Sequence, residues 1–450
     1  MRPSFSRSAI STVLASGRAL RARHTRLLRW LAAASGMALV GAVIGSVPLK
    51  SITGVSLPPV QLSSDPLYQR GVAAKPTLTL ALSVEYPTVG AAYVNKDNAS
   101  LDDTFDPSKA YLGYFDYRSC YVYDTAKGYF TRSKAADGSD HTCGGDSYSG
   151  NFMNWASTSA IDILRMGLTG GDRVIDDAQI TVLQRATLPD SNHTNYTEPF
   201  YNSQYFPAKK IKAGSSALSG VLPASVLNGY GGDVYIANCL NQVFIGKAKE
   251  GNCEAPANNA SIATLNARVA VCGDAVEAAS RESYRPGYCS RYPNGNYKPV
   301  GNLQQYSDRV RVAVFGYLLS NTTARYGGVL RAPMSYLGQK AFDENYSALA
   351  AGNPFAEWDA NTGVFKKDAR QSGFEYSGAI NYINRFGRSG VYERFDAVSE
   401  LYYESLRYLQ GLPPTSQAAA GVSASVSADP LDLKDGFPVY NTVTSPTSAQ

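Results

Sequence analysis

The chain has 450 residues, 44% of them hydrophobic, with 42 basic against 37 acidic side chains and a formal charge of +5. That apolar share supports a large core and excludes a disordered polar chain. Seven arginines and no acid fall in residues 1–45, so removing that segment takes the formal charge from +5 to −2; a nucleic-acid partner then loses its electrostatic argument.

In chain order, residues 1–30 hold Arg2, Arg7, Arg18, Arg21, Arg23, Arg26 and Arg29, and 31–47 (LAAASGMALVGAVIGSV) are small and apolar. A basic region, an apolar region and a small-residue end describe a secretory signal over 1–45, with cleavage between Gly45 and Ser56. A retained anchor is the alternative, although 17 residues at about 1.5 Å rise cover roughly 25 Å, short of a hydrocarbon core of about 30 Å. No other uncharged apolar run reaches 18 residues, so membrane contact is expected only through the signal if it stays uncleaved.

The remaining chain, about 405 residues, fits two or three domains or one elaborated domain. Residues 46–75 read as a lead-in. PTLTLALSVE (76–85) reads as a buried strand, and 86–148, rich in Asp, Tyr, Gly and Ser, as a long structured loop region. SGNFMNWASTSAIDILRMGLTGG (149–171) reads as one largely buried helix. Phe152, Trp155, Ile163 and Met166 share one face, and Met153, Ile161, Leu164 and Leu168 the next. Ser149 or Asn151 can cap its start, Gly170 and Gly171 its end, and Asp162 and Arg165 can pair along it. A capped core helix accounts for this stretch without any chemistry.

DRVIDDAQITVLQRA then reads as a short extended segment, and 187–300 as a second elaboration with a strand at GGDVYIANC. DRVRVAVFGYLL (308–319) reads as a second buried strand, with GGVLRAPMSYLG (327–338) able to pair with it. SGAINYINRFG (377–387) reads as a helix ending at Gly387. FDAVSELYYESLRYLQGL (395–412) reads as an amphipathic helix with Val398, Leu401, Tyr402, Leu406 and Leu409 on one face. Residues 76–412 thus form one elaborated α/β domain with insertions at about 86–148 and 187–300, and 413–450 a linker or frayed end.

Cys120, Cys143, Cys239, Cys253, Cys272 and Cys289 follow the signal, an even count that implies three disulfides in an oxidising compartment. Fifteen connectivities are open; nearest neighbours, Cys120–Cys143, Cys239–Cys253 and Cys272–Cys289, are our expectation. Each would close a short loop and add about 2–4 kcal/mol. All six lie in the loop-rich insertions and outside the predicted core helices and strands, so they read as staples on loops without cores of their own.

Catalytic patterns are sparse. Asp137, Asp140, His141 and Asp146 cluster in ADGSDHTCGGD, which reads as a solvated disulfide loop before it reads as a metal site. His141 and His193 are the histidines left for a triad, without a Gly-x-Ser-x-Gly elbow, and no GxGxxG or GxxxxGK[ST] occurs. The abundant tyrosines, 31 in all, suit half-buried strands and loops or an adhesive surface. An enzyme is not expected.

YLGYFDYRSCYVY (111–123), SGNFMNWASTSAIDILRMGLTGGDRV (149–174), YKPVGNLQQYSDRVRVAVFGYL (297–318), GAINYINRFG and FDAVSELYYESLRYLQGL resemble, in order and rough spacing, the PilC/PilY family of type IV pilus assembly and tip-associated proteins. Asn151, Asn154, Trp155, Asp162, Arg165, Gly170, Gly171 and Arg173 carry the most specific part. The resemblance covers about 75–438. It implies a degenerate von Willebrand A-like sheet-and-helix core with long disulfide-stapled loop insertions, in an exported, non-catalytic protein acting in pilus assembly, adhesion and twitching. Minor pilins, the pilus machinery and host or abiotic surface ligands are the implied partners, and periplasm, outer membrane or cell surface the implied location.

The sequence also departs from that family. Where an intact adhesion site carries Asp-x-Ser-x-Ser after the first strand, this chain has Ser83-Val84-Glu85-Tyr86-Pro87, so no metal site is carried over. No Asp-x-Asn-x-Asp-Gly loop occurs, and calcium belongs only to a C-terminal propeller absent from this sequence; the expectation is a fragment, a split gene or a short form. If later strands are missing, the sheet edge is exposed. The alternative reading is a secreted glycan-binding protein or hydrolase on a similar scaffold.

Overall fold

The computed structural model describes residues 76–419 and 436–440, apart from 190–204, 250–260, 319–327 and positions 84, 96, 98–100, 344, 389, 391 and 394–396. The predicted signal, the lead-in, Cys253 and His193 lie outside the described residues.

The chain enters through β1 (Thr77–Ala81). It then builds β2 (Leu101–Asp102), β3 (Ser119–Asp124), β4 (Tyr129–Ala135) and β5 (Tyr148–Ser149) before two helices, α1 (Gly150–Ser157) and α2 (Ala160–Thr169). A hairpin of β6 (Arg173–Asp176) and β7 (Thr181–Gln184) follows, then β8 (Ala208–Ile211), β9 (Val234–Cys239), β10 (Gln242–Gly246), β11 (Ser261–Asn266) and β12 (Arg268–Ala270). After α3 (Ala275–Glu282) come β13 (Cys289–Arg291), β14 (Tyr297–Pro299) and the longer pair β15 (Arg311–Tyr317) and β16 (Gly328–Ser335). Helices α4 (Ala379–Arg385) and α5 (Val398–Leu409) come next.

The two apolar runs and their neighbour meet in a sheet ordered β1-β15-β16. β1 pairs in parallel with β15 from Thr77↔Arg311 to Ala81↔Phe315, and β16 pairs antiparallel with β15. A parallel pair needs a crossover, and residues 82–310, which include α2, supply it. Adjacent strand residues face opposite sides. The Phe315 ring lies 5.6 Å from that of Tyr408 in α5, while a Cβ on Gly316 would meet Tyr382 of α4. Helices therefore cover both faces, which explains the continuous apolar run of β15. This is a mixed α/β chain with several sheets.

The insertions differ from the stapled loops expected of them. They form a five-stranded sheet, β11-β10-β9-β8-β2, and a six-stranded sheet, β5-β3-β4-β12-β7-β6. Tyr121, Phe130, Phe152, Trp155, Val243 and Ile245 bury a second core of their own. Strands of two to seven residues separated by polar turns carry too little periodicity to be read singly.

Two helix readings also change. The 149–170 stretch is two helices, because Thr158 and Ser159 are extended and Ser159 forms a capping box with Asp162 that restarts the chain as α2. In α5 the buried face is Leu401, Glu404, Ser405 and Tyr408, whereas Val398, Tyr402, Leu406 and Leu409 of the predicted face are exposed. The Glu404 carboxylate accepts from the Thr415 hydroxyl at 2.6 Å, so burying it leaves that side satisfied. Within the stretch read as a linker or frayed end, Phe437 and Val439 are buried and the Tyr440 N–H donates to Leu330 C=O of β16.

Candidate functional site

A cleft of about 350 Å³ lies at the carboxyl end of β1, lined by Ala81, Leu82, Ser83, Thr88, Ala160, Ile161, Leu164 and Phe386. Ends of parallel strands are where open α/β sheets bind ligands. None of these lining residues is ionisable, so they provide no general acid or base. Beside the cleft, Glu85 Oε1 accepts from the Ser83 hydroxyl at 2.5 Å and the Tyr317 hydroxyl at 2.7 Å, and its C=O accepts from the Thr88 hydroxyl. Glu85 is thus held by the protein's own hydroxyls. Among the described residues no group of three or more His, Cys, Asp or Glu is arranged to hold a metal ion.

The family-motif residues converge elsewhere, on the backbone around α1 and α2. Asn151 accepts from Tyr111 N–H and donates to Lys109 C=O; Asn154 accepts from Phe115 N–H and donates to Tyr111 and Phe115 C=O. The two asparagines therefore clamp the 107–115 loop onto α1. Trp155 is buried against Phe105, with Lys209 Nζ 4.5 Å over its ring; its Nε1 has no partner among the described residues.

Asp162 and Arg165 do not serve each other as the helical spacing suggests. Asp162 accepts from Ser159 N–H and hydroxyl and from Ala186 N–H, while Arg165 donates to Ile383 and Phe386 C=O and lies 4.8 Å over the Phe386 ring. Burial pushes the Asp162 carboxyl above its ordinary range, against the opposing hydrogen bonds and the Arg165 charge. Gly170 is left-handed at φ 88°, and a Cβ there would sit 2.4 Å from Pro299 O. Gly171 has φ 114°. Arg173 pairs with Asp176, donates to Gly363 and Pro299 C=O and stacks 3.6 Å over Phe365.

The cysteines bond as Cys120–Cys143, Cα atoms 5.6 Å apart, and Cys272–Cys289, 5.5 Å apart. Cys239 is disulfide-bonded, and its expected partner Cys253 lies outside the described residues. Contrary to the loop placement, Cys120, Cys239 and Cys289 belong to β3, β9 and β13 and are buried. The strand holding Cys239 was read at GGDVYIANC, whereas the short β3 and β13 were not separable from loops in the sequence.

The acidic loop does not converge. His141 Nδ1 hydrogen-bonds to Pro107 C=O, Asp137 bridges Thr142 and pairs with Lys134, and Asp146 meets Ser225.

Several buried charges escaped the sequence reading. Lys209 pairs with Asp102 at 2.7 Å, both side chains wholly buried, and burial lowers the Lys209 ammonium to about 8 despite Asp102. The available signal was parity: Lys209 shares its strand face with Ile211. Glu357 accepts from Ala379 and Ile380 N–H at the start of α4, and burial raises its pKa against the Arg370 charge and those two bonds. No spacing rule ties a Glu to a helix that begins over twenty residues later.

The family model described as "PilY1 homolog, small alpha/beta domain" matches residues 102–219, the stretch holding both clamped helices. A "Type IV pilus biogenesis factor PilY1 homolog" of Xylella fastidiosa (strain Temecula1 / ATCC 700964) is 32% identical over 423 residues, 86% of this chain. The chain is a PilY1-like family protein. A second protein of the same description and organism is 28% identical over 341 residues, 69% of this chain. The PilY1-like chain spans 32% and 22% of the lengths of these relatives. No solved structure matches. Among the described residues no helix is long and apolar enough to cross a membrane.

Proposed function

We propose that this PilY1-like chain is a non-catalytic, exported component of type IV pilus biogenesis. It acts at the pilus tip or cell surface with minor pilins and the pilus machinery, and it supports assembly, adhesion to host or abiotic surfaces, and twitching. The observation that carries the reading is the 32% identity, across 86% of the chain, to a protein named for type IV pilus biogenesis. Three features support it. The polar atoms of the motif asparagines, Asp162 and Arg165 are used on neighbouring backbone and a capping serine; the cleft lining lacks ionisable groups; and buried disulfides suit an oxidising compartment.

A degenerate von Willebrand A-like core is part of the proposal, supported by the parallel β1–β15 pair, its helix-bearing crossover and helices on both sheet faces. No metal or other cofactor is assigned to it, because Glu85 offers a single carboxylate where a hard cation needs several oxygen ligands.

The test is a clean deletion of the gene, with surface pili counted by electron microscopy and twitching measured on agar. Loss of both, restored by the wild-type gene, is the expected result. Normal piliation with normal twitching rejects the proposal.

A further inference from the structure

We propose that Asn228 is a site of spontaneous covalent modification, where the Gly229 backbone nitrogen closes on the Asn228 side chain and converts it to aspartate and isoaspartate. The sequence holds two Asn-Gly pairs, Asn228-Gly229 and Asn294-Gly295. In such a pair the following nitrogen can reach the side-chain amide carbon to form a five-membered ring, and glycine puts no Cβ in the way. By sequence the two pairs are equivalent. The fold separates them.

Asn294 is locked. Its Nδ2 donates to Ala178 C=O at 3.1 Å, its Oδ1 accepts from Asn296 N–H at 3.1 Å, and Gly295 N–H donates to Tyr292 C=O at 2.9 Å. The attacking nitrogen and its target are thus both held, and Asn294 and Gly295 are half-buried. Asn228 has none of these restraints. It ends the helical turn Ala224–Leu227 with φ 46° and ψ 45°, and Gly229 follows at φ 76°. Both residues are exposed, and a Cβ on Gly229 would meet nothing within 4 Å. Among the described residues, neither the Asn228 side-chain amide nor Gly229 N–H makes a hydrogen bond.

The chemistry uses only water and hydroxide. Hydroxide removes the Gly229 amide proton, and the nitrogen attacks Asn228 Cγ. The new N–Cγ bond forms, the Cγ–Nδ2 bond breaks, and the leaving nitrogen takes a proton from water to depart as ammonia. Water then opens the succinimide at either carbonyl, giving aspartate or isoaspartate with no oxidation or reduction. Each event adds one carboxylate charge at neutral pH. Isoaspartate also lengthens the backbone by one atom, inside a turn closed by Tyr230 N–H donating to Leu227 C=O at 2.8 Å. Val226 and Leu227 of that turn pack against the second core.

The test is peptide mapping by mass spectrometry after the intact folded chain is held in mildly alkaline buffer made with heavy-oxygen water. Ring opening in that solvent labels the new carboxyl and sets it apart from conversion during work-up, and electron-transfer fragmentation separates aspartate from isoaspartate. The restraints on Asn294 must open before its ring can close. Labelled conversion at Asn228 is therefore expected to exceed that at Asn294 by at least about tenfold, to slow in neutral buffer, and to match that at Asn294 in denaturant. Gly229→Ala, which sets a Cβ beside the attacking nitrogen, should slow conversion at Asn228. Equal conversion at the two asparagines in the folded chain overturns the proposal, as does the same tenfold ratio in denaturant. An unchanged rate in folded Gly229→Ala also overturns it. Should that variant fail to fold, the comparison of the two asparagines, folded against denatured, decides alone.

Discussion

Lys209 donates to the carboxylate of Asp102 at 2.7 Å, across directly paired positions of two parallel strands, with neither side chain exposed. Trp155 covers the ammonium and Tyr93 C=O accepts from it at 2.6 Å. Breaking such a pair on one side leaves a buried uncompensated charge. We expect Lys209→Met to cost about 3–5 kcal/mol, and the double variant Lys209→Met/Asp102→Leu to recover most of that. Chemical denaturation of the three proteins measures both.

The same pair sets a pH dependence. The Lys209 pKa falls from 10.5 unfolded to about 8 folded because the charge is buried. Between those values the unfolded chain binds more protons, so this group's contribution to stability rises with pH through that window and is at its minimum below it. Subtracting the stability of the double variant from that of wild type, at each pH from 7 to 10, isolates the effect. A flat difference contradicts it.

Gly170 ends α2 where no side chain fits. Gly170→Ala must hold φ near +88° and place a Cβ 2.4 Å from Pro299 O, which we expect to cost about 2–4 kcal/mol. Gly138, also left-handed but with nothing within 4 Å, is the control, and Gly138→Ala costs only about 1–2 kcal/mol. Denaturation midpoints compare the two.

Arg165 joins α2 to the end of α4 through two carbonyls and an aromatic face. Lysine keeps the charge but not the planar fork, so Arg165→Lys is expected to lose about 1–3 kcal/mol. Hydrogen exchange at Ile383 and Phe386 should speed up in that variant.

These sites show which features the sequence exposes. β15 and β16 were legible because strands covered on both faces need largely uninterrupted apolar residues; β1, read as a buried strand, instead forms the sheet edge with Thr77, Leu78 and Ala81 exposed. The interruption of α1 and α2 was written in the Ser159–Asp162 spacing, yet apolar residues continue across it and hide the break. In α5 the stripe visible in the sequence was the exposed one, since Glu404 and Ser405 are buried through local hydrogen bonds that hydropathy ignores. Lys209, Asp102 and Glu357 are paired through tertiary contacts spanning 22 to 107 positions, which no local pattern encodes. The insertions' core was missed for the same reason.

We propose that the motif residues hold the fold rather than meet a ligand, and Trp155 tests this most directly. Its indole is buried in the insertions' core, so Trp155→Ala is expected to cost about 3–5 kcal/mol and to lower the exported level of the protein together with piliation. The measurement is the amount of exported protein in a deletion strain complemented with the variant, beside a count of surface pili. Reduced export with reduced piliation is the predicted result; normal export without pili would contradict the account.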